Sequence, residues 1–399
     1  MAAEAGLRER LEREVLPDLL RPVGEARGLP HWAYTDPAAW ELERRTVFRE
    51  GWIGVAYDSD LPKPGDCFPV EYAGHRLLLT RGQDGVLRAF HNLCPHRGMP
   101  LLDAPRSNCR TIACPWHAWT FGLDGALVAT PNIGGVNRHA DPSAEPVGLA
   151  PLACGTWLGV VFVDISGRAG SLADWLAPMQ ARLAAFDLAL TEEAPGEAVD
   201  HVYPANWKQV IEGAVEDYHI PWVHKQVGPQ GRYEAVVGQR FLGVSSWRDM
   251  ATAKARLPPG PDGVEPEPLP LFPHLPASGE FEASLILTMV PSPVVAAQIG
   301  HVAVSLYVPL DPTRTLVRRR FRFLREAASG ERHAAARRRV RDSWQIVTDQ
   351  DAWVHEAIQG SLAAREAAGF RARFSPFWEG AVHHFQALVA ARMLGRDLG

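Results

Sequence analysis

Apolar positions recur along this chain with two different periods, and the change of period divides it. Over residues 1–20 leucines stand at helical spacing among Glu and Arg, which predicts an amphipathic helix. A loop-like stretch around 28–37 and a second helical segment near 38–49 follow. From residue 51 to about 164 the period shortens to two. Residues 67–72, 76–80 and 86–91 alternate, punctuated by the turn signals Lys63-Pro64-Gly65-Asp66, Gln83-Asp84-Gly85 and Leu123-Asp124-Gly125. That pattern predicts a small all-β domain. Beyond it, a helix is expected over 172–186, strands of one sheet over 283–290, 301–309 and 315–324, and a long helix over 337–368. The Pro-rich stretch 257–276 reads as a long surface loop or lid.

The fold class expected is therefore α+β, with three parts. Residues 1–45 form an N-terminal helical segment that packs on the last part. Residues 46–160 form the small β domain, and 161–399 a larger domain whose antiparallel sheet is covered by helices. A chain of 399 residues is long enough for more than one core.

Composition narrows the function classes. A net charge of −5 offers no broad basic surface for nucleic acid. The one basic run, Arg318-Arg319-Arg320, lies in an alternating segment and reads as a solvated strand edge. No apolar run approaches the ~20 residues of a membrane span, and the N-terminus lacks the apolar core of a secretory signal. A cytoplasmic protein with neither membrane nor nucleic-acid partner is expected. Five cysteines, an odd number in so long a chain, favour metal or redox use over a disulfide scaffold.

Their spacing is specific. Cys94-Pro95-His96-Arg97-Gly98 and Cys114-Pro115-Trp116-His117 stand 17 residues apart, counted between His96 and Cys114. Each loop offers one thiolate and one imidazole. A two-iron cluster with two cysteines on one iron and two histidines on the other takes this donor set, and it has a higher potential than an all-cysteine cluster. A structural zinc site uses the same residue types, but usually as a cysteine pair followed by a histidine pair. Cys67, Cys109 and Cys154 read as packing residues.

A second constellation runs from Asn206 to His224. On a helical wheel Glu212, Glu216 and His219 share one face and Asp217 points elsewhere. Pro221 is expected to end or bend the helix between His219 and His224, so that both imidazoles converge. Two histidines and one carboxylate on one face of an iron leave positions open for dioxygen. The carboxylate must come from elsewhere, and 344–359 offers Asp349 and Asp351 on roughly opposite helical faces. Spacing does not choose between them.

Cys94-x-His96-Arg97-Gly98 with Cys114-x2-His117-x-Trp119 resembles the Rieske signature of the ring-hydroxylating oxygenase family, and the likeness extends from Tyr34-Thr35-Asp36-Pro37 through Asp124-Gly125. The segment Asn206-Trp207-Lys208 to His224 is similar to the same family. The resemblance implies a Rieske [2Fe-2S] cluster on Cys94, His96, Cys114 and His117. It implies a mononuclear Fe(II) on His219, His224 and Asp351, since Gln350-Asp351 followed by Glu356 and Gln359-Gly360 resembles the family's ligand segment. It further implies a head-to-tail homotrimer, with or without a beta subunit, in which Glu216 links His219 to His117 of a neighbouring subunit. Electrons come from NAD(P)H through a separate reductase, with or without a ferredoxin between. This chain departs from most ring-hydroxylating members at Glu216, where Asp is usual and Glu resembles the quaternary-ammonium branch, and at Gly213, where Asn is common.

The function so implied is a terminal oxygenase, a mono- or dioxygenase that hydroxylates or oxidatively demethylates a small aromatic or quaternary ammonium substrate. An apolar pocket for an aromatic ring is expected from Phe241, Trp247, Phe281, Leu285 and Leu287. A cage for a quaternary ammonium is expected from Tyr233, Trp247 and Trp378. The competing reading is a Rieske electron-transfer protein without oxygenase activity, in which His219, His224 and Asp351 hold no iron.

Overall fold

Pairing of the short alternating segments builds the first of two compact units, 49–175. In the computed structural model, which describes residues 2–139, 147–227, 231–238, 240–250, 267–396 and 398, its six-stranded antiparallel sheet runs in the order Trp52–Tyr57, Val160–Asp164, Pro151–Trp157, Leu87–His91, His75–Arg81, Cys67–Tyr72. A separate three-stranded sheet is made of Thr111–Ala113, Thr120–Gly122 and Leu127–Ala129. Leu78, Phe90, Leu101, Leu102, Ile112 and Phe121 are buried together between its strands and loops, and Cys94 and Cys114 join that cluster. Burial of such side chains contributes roughly 1.5–3 kcal/mol each, so the loops that carry the two cysteines are anchored by the core itself.

The second unit comprises 1–48 and 176–399. Its seven-stranded antiparallel sheet is ordered Thr191–Tyr203, Arg314–Leu324, His301–Asp311, Val294–Gln298, Glu280–Met289, Phe241–Asp249, Arg232–Val237. The three strands expected from the pattern all lie in this sheet, and Val294–Gln298 is an additional strand inserted between two of them. Helix Ala334–Ala368 lies against the sheet through Val340 and Trp344, which pack on the cluster that includes Ala296, Ala303, Phe321 and Phe323. Half of the Pro-rich segment, 257–266, lies outside the described residues. Among the described residues no helix is long and apolar enough to cross a membrane.

The run Arg318-Arg319-Arg320 is not a solvated strand edge. Its strand has neighbours on both sides, Thr191–Tyr203 and His301–Asp311. Arg319 is buried, donating to Ser305 Oγ and Thr348 Oγ1 at 2.9 Å each, with its guanidinium over the Trp344 ring at 4.5 Å. Arg320 pairs with Asp200 at 2.6 Å. Alternation placed these side chains correctly on opposite faces; helix Ala334–Ala368, which covers the Arg319 face, is remote in sequence.

The N-terminal segment is tied to this unit by polar contacts. Lys208 Nζ donates to Glu43 Oε1 at 2.6 Å and Trp207 Nε1 to Glu43 Oε2 at 2.9 Å, with both members of the ion pair fully buried. Burial pushes the Glu43 carboxyl above and the Lys208 ammonium below their usual values, so each relies on the other to stay charged.

Candidate metal centres

The two Cys-His loops are built alike. Gly98 N–H donates to the Cys94 carbonyl at 2.8 Å and Ala118 N–H to the Cys114 carbonyl at 3.0 Å. Cys94 N–H donates to Met99 and Cys114 N–H to Trp119, each at 2.8 Å. Gly98 and Ala118, each four residues after its cysteine, take left-handed φ values of 72° and 55°. That conformation suits glycine and is uncommon for alanine. The first loop is held from below by buried Asn92, which accepts from Leu101 and Leu102 N–H and donates to the Leu102 carbonyl at 2.7 Å.

This symmetry sorts the donors into like pairs. The Cys94 and Cys114 side chains are buried in one core cluster. The His96 and His117 rings are exposed, with centroids 4.7 Å apart, and His96 stacks on Trp119 at 4.9 Å. Sulfur inward and imidazole outward fits a two-iron cluster whose histidine-bound iron faces solvent.

At the second centre the chain takes a path that the helical wheel does not describe. Helix Trp207–Ala214 is capped by Asn206 and stops at Val215, and Ile220–Val223 forms a separate single turn. Pro221 lies in the first turn of that short helix, where its missing N–H costs nothing, rather than breaking a longer one. The interruption comes earlier: Glu216 Oε2 accepts from the backbone N–H of Tyr218 and, at 3.2 Å, of His219. Glu212 accordingly does not share a face with Glu216 and His219. It accepts from Tyr34 Oη at 2.7 Å and Gln386 Nε2 at 2.9 Å instead. Asp217 points away from the imidazoles, as the wheel indicates, and accepts from Ser246 Oγ at 2.6 Å.

The consequence is a facing pair of imidazoles. His219 Nε2 and His224 Nε2 are 3.2 Å apart, and each ring is oriented by its other nitrogen. His219 Nδ1 bonds Glu216 Oε1 at 2.5 Å, and His224 Nδ1 bonds Gln350 Oε1 at 2.8 Å. Asp351 Oδ1, from helix Ala334–Ala368, stands 3.0 Å from His224 Nε2 and 3.8 Å from His219 Nε2. The three donor atoms lie within 4.8 Å of one another. Asp349 is turned aside and accepts from Gln345 at 2.7 Å. Two Nε2 atoms and one carboxylate converging on a point, with both Nδ1 atoms already engaged, fit a divalent iron with outer hydrogen-bond support. Gln350 was not marked by spacing; only the fold sets its amide against His224. Burial lowers the basicity of His219, but the Glu216 bond and charge, with Asp351 and Asp217, outweigh it and hold the imidazole above its ordinary value.

Gly213 leaves room for another imidazole. A Cβ there would lie 2.9 Å from His355 Cε1 and 3.2 Å from Nε2. His355 is buried, its Nδ1 has no partner among the described residues, and burial pushes it down to about 4, so it is neutral at ordinary pH.

Glu212 carries a stability prediction. Burial raises its carboxyl from 4.5 to about 7, against the opposing hydrogen bonds of Tyr34 and Gln386. A raised folded-state value means that the native form binds the proton more tightly. Its contribution is therefore complete below about pH 4.5 and lost as pH rises through about 7. It amounts to ~3 kcal/mol at most. Urea unfolding near about pH 5 and about pH 8 should show this loss in the wild type, and Glu212→Gln should flatten it. An unchanged pH slope in the variant would remove Glu212 from the account.

The expected substrate residues separate by sheet face. Register pairs Tyr233 with Ser246 and Arg232 with Trp247, and Phe241, Gly243 and Ser245 with Met289, Leu287 and Leu285. Side chains alternate along a strand. Tyr233 and Ser246, the partner of Asp217, therefore share one face, while Trp247, Phe241, Leu285 and Leu287 lie on the opposite one. Phe321, whose ring meets Trp344 of the long helix at 6.4 Å, is linked by register through Ala303, Ala296, Ile286 and Val244 to the face that carries Ser246 and Tyr233, so the helix bearing Asp351 covers the Tyr233 side. Four of the five residues expected to line an apolar pocket thus face away from the triad. Phe281 packs with Met250 and Ala283 in a separate cluster, and Trp247 is covered by the Arg232 guanidinium at 4.3 Å. Tyr233 and Trp378 do come together, with centroids 4.8 Å apart, and Tyr218, beside His219, stacks on Trp378 at 5.9 Å. Tyr218 and Phe377, 4.8 Å from Trp378, were not identified from sequence.

Comparison with known proteins adds to this geometry. Residues 190–395 match the family described as Ring hydroxylating alpha subunit (catalytic domain), and 51–140 match the Rieske [2Fe-2S] domain. The carnitine monooxygenase oxygenase subunit of Escherichia coli (strain K12) is 36% identical over 219 residues, 52% of this chain and 56% of that protein. The glycine betaine monooxygenase oxygenase subunit of Chromohalobacter salexigens is 31% identical over 215 residues, 54% of this chain and 47% of that one. The aligned region thus spans about half the length of these relatives. A solved quaternary ammonium Rieske monooxygenase, described in terms of carnitine oxidation and inter-subunit electron transfer, superposes with a TM-score of 0.73 at 23% identity, covering 94% of this chain and 98% of that one.

Proposed function

We propose, for a chain that belongs to the ring-hydroxylating oxygenase alpha subunits and carries a Rieske [2Fe-2S] domain, that it is a terminal oxygenase inserting one oxygen atom into a small quaternary ammonium substrate. The overall reaction takes substrate, dioxygen, two electrons and two protons to hydroxylated product and water. When an N-methyl carbon is hydroxylated, the product collapses to the demethylated amine and formaldehyde. The observation that carries this reading is the convergence of His219, His224 and Asp351 in a chain that also has the paired Cys-His loops. An electron-transfer protein has no use for such a triad.

When bound, the cluster supplies single electrons and the mononuclear iron supplies the dioxygen chemistry. Cys94, Cys114, His96 and His117 would hold the first, and His219, His224 and Asp351 the second. The protein's own work is orientation. Glu216 and Gln350 fix the two imidazoles through their Nδ1 atoms, which keeps Nε2 directed at the metal. Tyr218, Tyr233 and Trp378 offer aromatic faces next to the carboxylates of Glu216, Asp217 and Glu379, whose charges act on the Tyr233 hydroxyl. Aromatic faces with nearby negative charge attract a cation that cannot donate a hydrogen bond. Glu216 in place of Asp and the two relatives quoted above favour the same substrate class.

The proposed assembly is a head-to-tail homotrimer in which Glu216 of one subunit meets His117 of the next, with electrons arriving from NAD(P)H through a separate reductase. Exposed Trp116 beside His117, and exposed Tyr218, Trp222 and Trp353 around the triad, are apolar surface of the kind an interface covers. The test is turnover with NADH and a promiscuous reductase, following product rather than NADH consumption. Carnitine or glycine betaine should yield formaldehyde or a hydroxylated product. A cis-diol from an aromatic acid, with the ammonium compounds untouched, would move the substrate class. No product from either with all irons present would contradict the oxygenase reading.

A further inference from the structure

His224 is gripped at both ring nitrogens by consecutive residues of one helix. Asp351 Oδ1 stands 3.0 Å from Nε2, and Gln350 Oε1 meets Nδ1 at 2.8 Å. Gln350 is held in turn by a residue of the chain just beyond His224. Gln226 Nε2 donates to the same Gln350 Oε1 at 2.7 Å, and Gln350 Nε2 donates back to Gln226 Oε1 at 3.2 Å. A carboxamide oxygen has two lone pairs, and His224 and Gln226 take both. Two successive turns bring Gln226 to this place. His224 N–H donates to the Ile220 carbonyl at 2.9 Å, closing the turn Ile220–Val223, and Val227 N–H donates to the His224 carbonyl at 2.8 Å across Lys225–Val227. The imidazole is buried, whereas Gln226 is exposed.

We propose that Gln226 is a positioning residue, the outer half of a paired-amide clamp that holds the turn bearing His224 against the helix bearing Asp351 and so retains a metal ion in the triad. The sense of the network follows from what the ligand must do. An imidazole that offers its Nε2 lone pair to a metal carries its proton on Nδ1, so the group facing Nδ1 must accept. Gln350 therefore presents its oxygen to the ring and its nitrogen to Gln226, which must answer with one donor and one acceptor. A carboxamide provides both, while a glutamate of the same size accepts without donating. His219 is oriented by the carboxylate of Glu216, three residues before it. The amide clamp orients the second imidazole without adding to the negative charge that Glu216 and Asp351 already place there. This inference rests on the reading of the triad as an iron site and adds a residue that acts only through Gln350.

The test uses anaerobically purified, iron-loaded protein mixed with ferrozine, a chelator of Fe(II), following release of the single iron while the cluster's visible absorption stays constant. Gln226→Ala and Gln226→Glu should each release that iron about tenfold faster than wild type, the lower end of what outer partners of a metal-bound histidine contribute. Gln350→Ala should release it at least as fast, and Gln226→Ala combined with Gln350→Ala no faster than Gln350→Ala alone. Co(II) placed in the single site should show a shifted ligand-field spectrum in Gln226→Glu, which keeps the size of the side chain and removes only its donor. A wild-type release rate in Gln226→Glu, or additive effects in the double variant, would overturn the proposal while leaving the iron site intact. Wild-type protein without a releasable single iron would overturn the iron-site reading, and the clamp with it.

Discussion

Glu216→Gln is expected to retain both kinds of iron yet lose nearly all turnover. The amide keeps the size of the carboxylate, so the short turn before Ile220–Val223 should persist. It removes the charge that now meets His219 Nδ1 at 2.5 Å. An outer partner of a metal-bound histidine is worth roughly 10–100-fold in affinity or activity. If Glu216 also links the two centres across subunits, the loss exceeds that range while iron content stays level. Single-turnover product yield, measured with the cluster reduced beforehand, separates these roles. A variant as active as the wild type would refute the bridge, and one that loses iron in step with activity would reduce Glu216 to a support for His219.

The largest stability effect should follow Lys208→Met. This substitution leaves Glu43 buried with Trp207 Nε1 as its remaining partner. Breaking a buried pair in this way costs about 3–5 kcal/mol, whereas replacing both members with apolar residues of similar volume is often neutral. Denaturant midpoints should therefore fall steeply for Lys208→Met and recover for Lys208→Met combined with Glu43→Leu. Helix Trp207–Ala214 leads into His219, so the single variant should also bind the mononuclear iron less tightly. Equal midpoints for the single and double variants would mean that the pair does not hold the N-terminal segment in place.

What was legible in the sequence follows the range of the interactions concerned. The paired loops could be read because each is a closed local turn, with the left-handed residue four positions after the cysteine. His219 and His224 were also legible, although the device that orients them was not. Pro221 suggested a break, but the break belongs to Glu216, whose side chain takes the backbone N–H groups of the next turn. Asp351 was separated from Asp349 only by resemblance, because the choice depends on which face of Ala334–Ala368 meets the triad, a tertiary fact. Strand alternation told which residues share a face but not which face looks at the triad, and for Phe241, Trp247, Leu285 and Leu287 the opposite face is the true one. Arg319 misled for the same reason: a buried guanidinium needs Ser305, Thr348 and Trp344, which lie elsewhere in the chain.

The claim that one chain provides for a two-iron cluster and a separate single iron is tested most directly by counting metal in anaerobically purified protein. Wild type should contain about three irons per chain, in keeping with a two-iron Rieske cluster and one further site. His219→Ala should contain about two, with the cluster's visible absorption unchanged. Two irons in both proteins would contradict the account.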